Sequence, residues 1–153
     1  MHRKEKQITD RREIDAVITG CDFMHLALAR DNEPYVVPLN FGYDGRWIYL
    51  HTASRGRKID FFEANPNVCF AFERQVRIIP HDTRPCKWSC AFESVIGNGT
   101  ISELHDPEDK SRGLRQIMRH YSAEEWTFDP AVVDKTRIWG IEIQTLTGKR
   151  SQA

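Results

Sequence analysis

The strongest constraint on the fold is a pair of strand-like segments joined by a tight turn. The segments "YVVPLNFGY" (35–43) and "RWIYLHT" (46–52) are rich in β-branched and aromatic residues. Asp44-Gly45 between them is typical of a two-residue hairpin turn. Four more segments have strand character, at residues 22–30, 68–76, 87–104 and 136–148. Six antiparallel strands in meander order predict a mainly β fold, a β-barrel with flanking helices.

Three segments have the apolar spacing and the capping residues of helices. They are residues 8–20, 56–64 and 105–121. Thr9 or Asp10 can cap the first helix, and Asp106 can cap the third, with Pro107 in its first turn. Because these segments are short and separated by strands, we expect them to lie against the barrel as plugs.

The composition and the charge of the chain limit its class. With 153 residues, of which 40% are hydrophobic, residues 1–153 suit a single domain with its own core. Lys+Arg and Asp+Glu both number 22, and a formal charge of zero argues against a nucleic-acid partner. The charged start is unlike a secretory signal, and no apolar run reaches the length of a membrane span. We therefore expect a cytoplasmic protein with no membrane partner, whose four cysteines are free thiols.

Cations and hydroxyls are concentrated where the strand at 46–52 meets the helix at 56–64. The cluster consists of Thr52, Ser54, Arg55, Gly56, Arg57 and Lys58. Backbone N–H groups and the positive end of a helix dipole favour an anion at such a junction, and glycine lets the anion approach the backbone. A solvated basic turn is the alternative. The Walker-A motif is absent, and "GNGTIS" (97–102) lacks the third glycine of a dinucleotide fingerprint, so another scaffold must hold the anion.

One long segment resembles a known family. It is "PYVVPLNFGYDGRWIYLHTASRGRKIDFFEANPNVCF" (34–70), and it is similar to the split barrels of the pyridoxamine 5′-phosphate oxidase superfamily, and within them to 5-nitroimidazole-resistance (Nim-type) proteins. The segments "FESVIGNGTISEL", "DPEDK", "MRHY" and "LTGKR" resemble the same proteins. The resemblance implies an FMN-binding split β-barrel of about six antiparallel strands. It also implies a homodimer with the flavin site at the interface.

The resemblance further implies which residues meet FMN. The predicted cofactor-binding residues are Val37, Pro38, Leu39, Asn40, His51, Thr52, Arg57, Lys58 and Ser94. Thr52, Arg57 and Lys58 would bind the phosphate, and the backbone of residues 37–40 would lie along the flavin ring. His51 is the candidate catalytic residue, because a histidine side chain can deliver a proton to a small-molecule substrate.

Pro38 agrees with this interpretation on independent grounds. Proline has no N–H to donate to a strand ladder, so we expect its side of the strand to face a sheet edge, a bulge or a ligand. A strand that borders a flavin ring needs such an unpaired side.

The activity implied by the resemblance is that of an FMN-dependent oxidoreductase, which would reduce small electrophiles such as nitroimidazoles. A flavin carrier or sensor without turnover and a metal- or haem-handling relative are alternatives. A pyridoxamine 5′-phosphate oxidase-like enzyme is a further alternative, but the Trp and Arg-His-Arg region that binds the pyridoxal ring in the oxidases has no counterpart here. Cys86 and Cys90, with His81 nearby, are spaced too loosely for a metal site, and no metal is predicted.

Overall fold

The computed structural model describes residues 4–152, in which an eight-stranded antiparallel sheet is the main feature. Its strands are β1 (Gln7–Ile8), β2 (Met24–Arg30), β3 (Glu33–Leu39), β4 (Gly42–Tyr43), β5 (Trp47–Thr52), β6 (Asn67–Ile79), β7 (Ser89–Leu104) and β8 (Arg137–Ser151). The flanking helices in this range are α1 (Arg11–Thr19), α2 (Arg57–Ala64), α3 (Pro107–Tyr121) and α4 (Pro130–Lys135). Residues 1–3 and 153 of the predicted domain lie outside the described residues.

The predicted barrel with flanking helices is confirmed, but the predicted number of six strands is wrong. The two further strands, β1 and β4, contain two residues each and are too short to show an alternating pattern. β4 is separate from β3 because Asn40 and Phe41 interrupt the segment 35–43. The backbone N–H of Phe41 donates to the hydroxyl of Tyr121 at 3.1 Å. The ring of Phe41 is fully buried and packs against Phe72.

The strand order is not the simple meander that the sequence suggested. The order is β3-β2-β6-β7-β8-β5-β4, with β1 paired to β8. The three long strands β6, β7 and β8 do follow one another, whereas the β2–β3 hairpin joins β6 and the β4–β5 hairpin joins β8. This order makes β3 an edge strand, as Pro38 predicted.

A single hydrophobic cluster fills the inside of the curved sheet. Side chains that alternate along β2 contribute Met24, Leu26 and Leu28, each no more than 4% exposed. The predicted apolar stripe of α1 is buried against the same core. The side chains of Asp10 and Asp106 cap α1 and α3, as predicted, and each accepts a backbone N–H of the first turn.

One buried carboxylate ties the ends of β7 and β8 to β6. Glu93 is 7% exposed and accepts hydrogen bonds from Arg74 Nε at 2.8 Å and Arg150 Nε at 2.6 Å. Burial raises the pKa of Glu93, but the hydrogen bonds from Arg150 and Arg74 outweigh it and hold the pKa below its ordinary value. The ionised form therefore stabilises the fold.

Among the helices described for residues 4–152, none is long and apolar enough to cross a membrane.

Candidate functional site

The N-terminus of α2 differs from that of every other described α-helix in lacking a side-chain cap. Asp10, Asp106 and Asp129 accept first-turn N–H groups in α1, α3 and α4, whereas the N-cap of α2 is Gly56, with no side-chain hydrogen bond. Gly56 has a φ of 145°, a conformation that favours glycine. No acceptor within the described chain meets the backbone N–H groups of residues 57 and 58. This helix end therefore offers free donors and a positive dipole end to an anion.

The guanidinium of Arg57 connects this helix end to the start of β3. It donates to the Glu33 carboxylate and lies over the ring of Tyr35, 4.8 Å from its centroid. The Arg57 side chain is 59% exposed, so part of its fork stays open to solvent. Lys58 is half-buried, and Arg55 is exposed. Glu33 was missed in the sequence, because 24 residues separate it from Arg57.

Thr52 is buried, and its hydroxyl bonds to the protein itself. The hydroxyl donates to the carbonyl of Ala53 at 2.9 Å and accepts the indole N–H of Trp139 at 3.1 Å. The residue is 8% exposed and faces the core. The adjacent His51 points to the opposite, exposed face of β5. Thr52 and His51, which were both predicted to bind FMN, therefore face the inside and the outside of the barrel, respectively.

A second arginine, which the sequence did not suggest, braces the turn between β5 and α2. Arg137 donates to both oxygens of Glu103, at 2.8 and 2.6 Å, and to Glu63 at 2.9 Å. It also donates to the carbonyl of Ser54 at 3.1 Å. The hydrogen bonds that Arg137 donates to Glu103 and Glu63 raise the pKa of Arg137 above its ordinary value, and the bond to Glu103 lowers the pKa of Glu103. The turn that precedes Gly56 is therefore held in place by charged partners.

The predicted ring-binding residues lie on the free edge of β3. Val37 and Leu39 direct their side chains to the core, whereas Pro38 and Asn40 are exposed. One side of β3 has no strand partner in the described sheet. Tyr35, under Arg57, is three residues before Pro38, and a strand rises about 3.3 Å per residue, so about 10 Å separates the two positions. Through the contact of Arg57 with Tyr35, this edge adjoins the uncapped start of α2.

His51 and Ser94 are predicted residues on strands that do not neighbour β3 in the sheet. The strand β5, which carries His51, is five strands from β3. Ser94 is nearer by this count. It lies on β7, three strands from β3, which at about 4.8 Å per strand amounts to about 14 Å. It pairs with Glu73, whose carboxylate lies 3.3 Å from Nδ1 of His25 on the same outer face. Within one protomer, Ser94 and the β3 edge do not adjoin.

The loop between β6 and β7 has an exposed thiol at Cys86 and a half-buried one at Cys90. The structure finds no group of three metal-ligating side chains among residues 4–152. Trp88, 57% exposed, donates its indole N–H to the carbonyl of His81.

A family model described as pyridoxamine 5′-phosphate oxidase matches residues 10–150, which include every residue of the candidate site. The chain belongs to the pyridoxamine 5′-phosphate oxidase family. A crystal structure from Bacteroides thetaiotaomicron, of a protein proposed to confer 5-nitroimidazole antibiotic resistance, is 30% identical, with a TM-score of 0.83. The match covers 94% of this chain and 85% of that one. The resemblance described above is thereby confirmed.

More distant structures share the fold of this family member. The flavocytochrome Anf3 of Azotobacter vinelandii is 18% identical, with a TM-score of 0.84, and the match covers 100% of this chain and 72% of that one. A FAD and haem binding protein of Mycobacterium smegmatis is also 18% identical, with a TM-score of 0.84, and 97% and 74% of the two chains are covered. An uncharacterized protein of Rhizobium meliloti is 34% identical over 103 residues, which are 64% of this chain. The match spans 57% of that relative's length.

Proposed function

We propose that this pyridoxamine 5′-phosphate oxidase family member binds FMN, with the phosphate at the N-terminus of α2. The observation that carries the proposal is the uncapped first turn at Gly56, followed by Arg57 and Lys58. Free N–H groups, a dipole end and two cations are what a phosphate requires. The hydroxyl of Thr52 already has two protein partners, so its expected part is to hold the turn before the phosphate site and not to bind the phosphate itself.

The flavin ring would lie along residues 37–40, about 10 Å from the phosphate by the rise of the strand. A bound flavin would supply the redox chemistry of the reaction. The chain would contribute an open backbone edge, the exposed face of Pro38, and a proton from the ring of His51 to the reduced substrate.

The reaction we propose is the reduction of small electrophiles such as nitroimidazoles. Its support is the 30% identity to the Bacteroides protein proposed to confer resistance to these compounds. His51 is exposed on the outer face of β5, so its ring is accessible to a substrate. A carrier or sensor without turnover would bind FMN equally well and would fail only in the turnover assay below.

We also propose a homodimer that pairs the outer faces of two sheets. Val36 on β3 and Ile96 on β7 are 61% and 51% exposed, so the outer face of the sheet carries exposed apolar residues. Pro38, His25, Ala71 and Ile96 form one cross-strand row, and Val36 is two residues from Pro38 on β3. Pairing these faces would let Ser94 of one protomer approach the β3 edge of its partner.

A cytoplasmic location remains part of the proposal. It is supported by the four cysteines, all of which are unpaired, since free thiols persist in a reducing compartment.

The test of the phosphate site is a titration of apo-protein with FMN and with riboflavin. Because Arg57 is partly exposed, each charge-assisted hydrogen bond is assigned about 1.5 kcal/mol, the low end of the range for such bonds. Two of them predict that FMN binds about 10²-fold more tightly than riboflavin. Arg57→Ala should weaken FMN binding about tenfold, and the control variant Arg55→Ala should change it little. Equal affinities for FMN and riboflavin, or a larger effect of Arg55→Ala, would contradict the site.

The test of turnover is anaerobic. After photoreduction of the bound flavin, a 5-nitroimidazole should restore the oxidised spectrum in the wild-type protein. His51→Ala should slow this return by about 10²–10⁴-fold while leaving FMN affinity nearly unchanged. The control is His105→Ala, which removes an exposed histidine that is not among the proposed flavin contacts. If the wild-type spectrum does not return, the protein is a carrier or sensor.

A further inference from the structure

A cavity of about 610 Å³ lies between α3 and α4, away from the α2 junction. Pro107, Phe128, Pro130 and Val133 form its apolar wall. Its volume falls in the range of about 300–1,000 Å³ that small-molecule sites occupy. None of the residues assigned to the flavin lines it.

Among the polar residues that line this cavity, Lys110 is the buried one; the others are His105, Glu108, Ser111, Arg115 and Asp134. Lys110 is 8% exposed, and its Nζ donates one hydrogen bond, to the carbonyl of Asp134 at 2.8 Å. An ammonium group has three donors, and a buried charge is normally paired. Within residues 4–152, no carboxylate lies within 4.0 Å of Lys110, although Glu108 and Asp134 also line the cavity. Two donors of a buried cation therefore lack an anionic partner.

The surroundings of Lys110 match a ligand with a charged end and an apolar body. Ser111, the next residue of α3, lines the cavity and adds a hydroxyl donor. Phe128 and Val133 supply the opposite, apolar side. Inorganic phosphate would leave that side uncovered, and an uncharged hydrocarbon would leave the ammonium unpaired.

We propose that the cavity binds a small organic carboxylate, whose carboxylate meets Lys110 and Ser111 and whose apolar body packs against Phe128 and Val133. This site is separate from the proposed flavin site, and the proposal stands whether or not FMN binds.

Benzoate is the probe, and the uncharged benzamide, of nearly the same shape, is its control. Titration of the ¹⁵N-labelled full chain should show benzoate binding at least about tenfold more tightly than benzamide, a difference of about 1.4 kcal/mol. The amide shifts should concentrate at residues 105–115 and 128–134. Equal affinities, no saturable binding of benzoate at millimolar concentration, or shifts confined to residues 56–58 would each overturn the proposal.

Two variants test the roles of the two ends of the ligand. Lys110→Met keeps the aliphatic stem and removes the ammonium group. Its affinity for benzoate should be at least about tenfold lower than that of the wild type, the loss expected when one charge-assisted hydrogen bond is removed. Lys135→Met removes an exposed lysine of α4 outside the cavity and should bind within about twofold of wild type. Phe128→Ala, at a half-buried loop position, should weaken benzoate several-fold and serves if Lys110→Met fails to fold. Wild-type affinity in either cavity variant would refute the site.

Discussion

Replacing Thr52 by valine tests whether its hydroxyl serves the fold or an anion. The substitution keeps the branched shape and removes the oxygen. The indole N–H of Trp139, a residue that is 4% exposed, then loses its acceptor. The bond from the hydroxyl to the carbonyl of Ala53 is lost as well.

The expected cost follows from the burial of the abandoned donor. A buried N–H left without a partner costs about 1–3 kcal/mol. For a domain of this size, 1 kcal/mol corresponds to about 2–4 °C in Tm, so Thr52→Val should lower Tm by about 2–12 °C. The affinity for FMN should fall by less than about threefold, because both hydrogen bonds of the hydroxyl join it to the protein, to Ala53 and Trp139.

The assay is thermal and urea unfolding of four proteins in a double-mutant cycle. Trp139→Phe removes the indole donor, and in that background Thr52→Val should cost much less than it does in the wild type. Thr52→Ser keeps the hydroxyl and should bind FMN as the wild type does. Two results would refute the reasoning. One is an equal cost of Thr52→Val in both backgrounds. The other is unchanged stability with an FMN affinity reduced tenfold or more, which would assign the hydroxyl to the phosphate.

Three further predictions follow from charges and exposed apolar groups. Glu33→Gln should strengthen FMN binding several-fold and leave riboflavin unaffected, because the Glu33 carboxylate competes with a phosphate for Arg57; weaker FMN binding would contradict this. Glu93→Gln should lower the free energy of unfolding at pH 7 and flatten its dependence on pH. The reason is that a carboxyl whose folded pKa lies below the unfolded value of about 4.3 contributes stability that is lost as the pH falls through the folded pKa. Urea midpoints measured from pH 7 to pH 3 would run parallel for the variant and the wild type if this were wrong. Ile96→Asp should convert a dimer to a monomer in light scattering, whereas Val132→Asp, at an exposed site on α4, should not; a wild-type mass for Ile96→Asp would exclude the outer face as the interface.

The local elements were predictable because their signals lie within a few residues of one another. The Asp44-Gly45 turn joins β4 and β5 as expected, and Gly45 has a φ of 94°. The carboxylate of Asp106 caps α3 by accepting the backbone N–H groups of Glu108 and Asp109. α4 was missed, because its six residues are too few for an apolar stripe to repeat.

The pairing of distant elements was not predictable from such patterns. β2 joins β6 and β5 joins β8 through contacts that no local periodicity records. The ion pair of Arg137 with Glu103 spans 34 residues, and in the sequence both side chains look like ordinary exposed charges. Lys110 was hidden in the same way, since a lysine on an amphipathic helix is expected to be exposed until α4 covers it.

The anion site shows where a different signal in the sequence could have gone further. The cations at 55, 57 and 58 drew attention to the junction, yet basic residues are frequent in exposed turns, and they left a solvated turn as an alternative. The structure distinguishes the junction by its missing side-chain cap. Each of the three other described α-helices begins with an aspartate, whose carboxylate accepts first-turn N–H groups and adds a negative charge. A glycine at that position, where aspartate serves elsewhere in the same chain, leaves the first-turn N–H donors without a side-chain acceptor. An absent cap followed by two cations is therefore a more specific sequence signal for an anion than the cations alone.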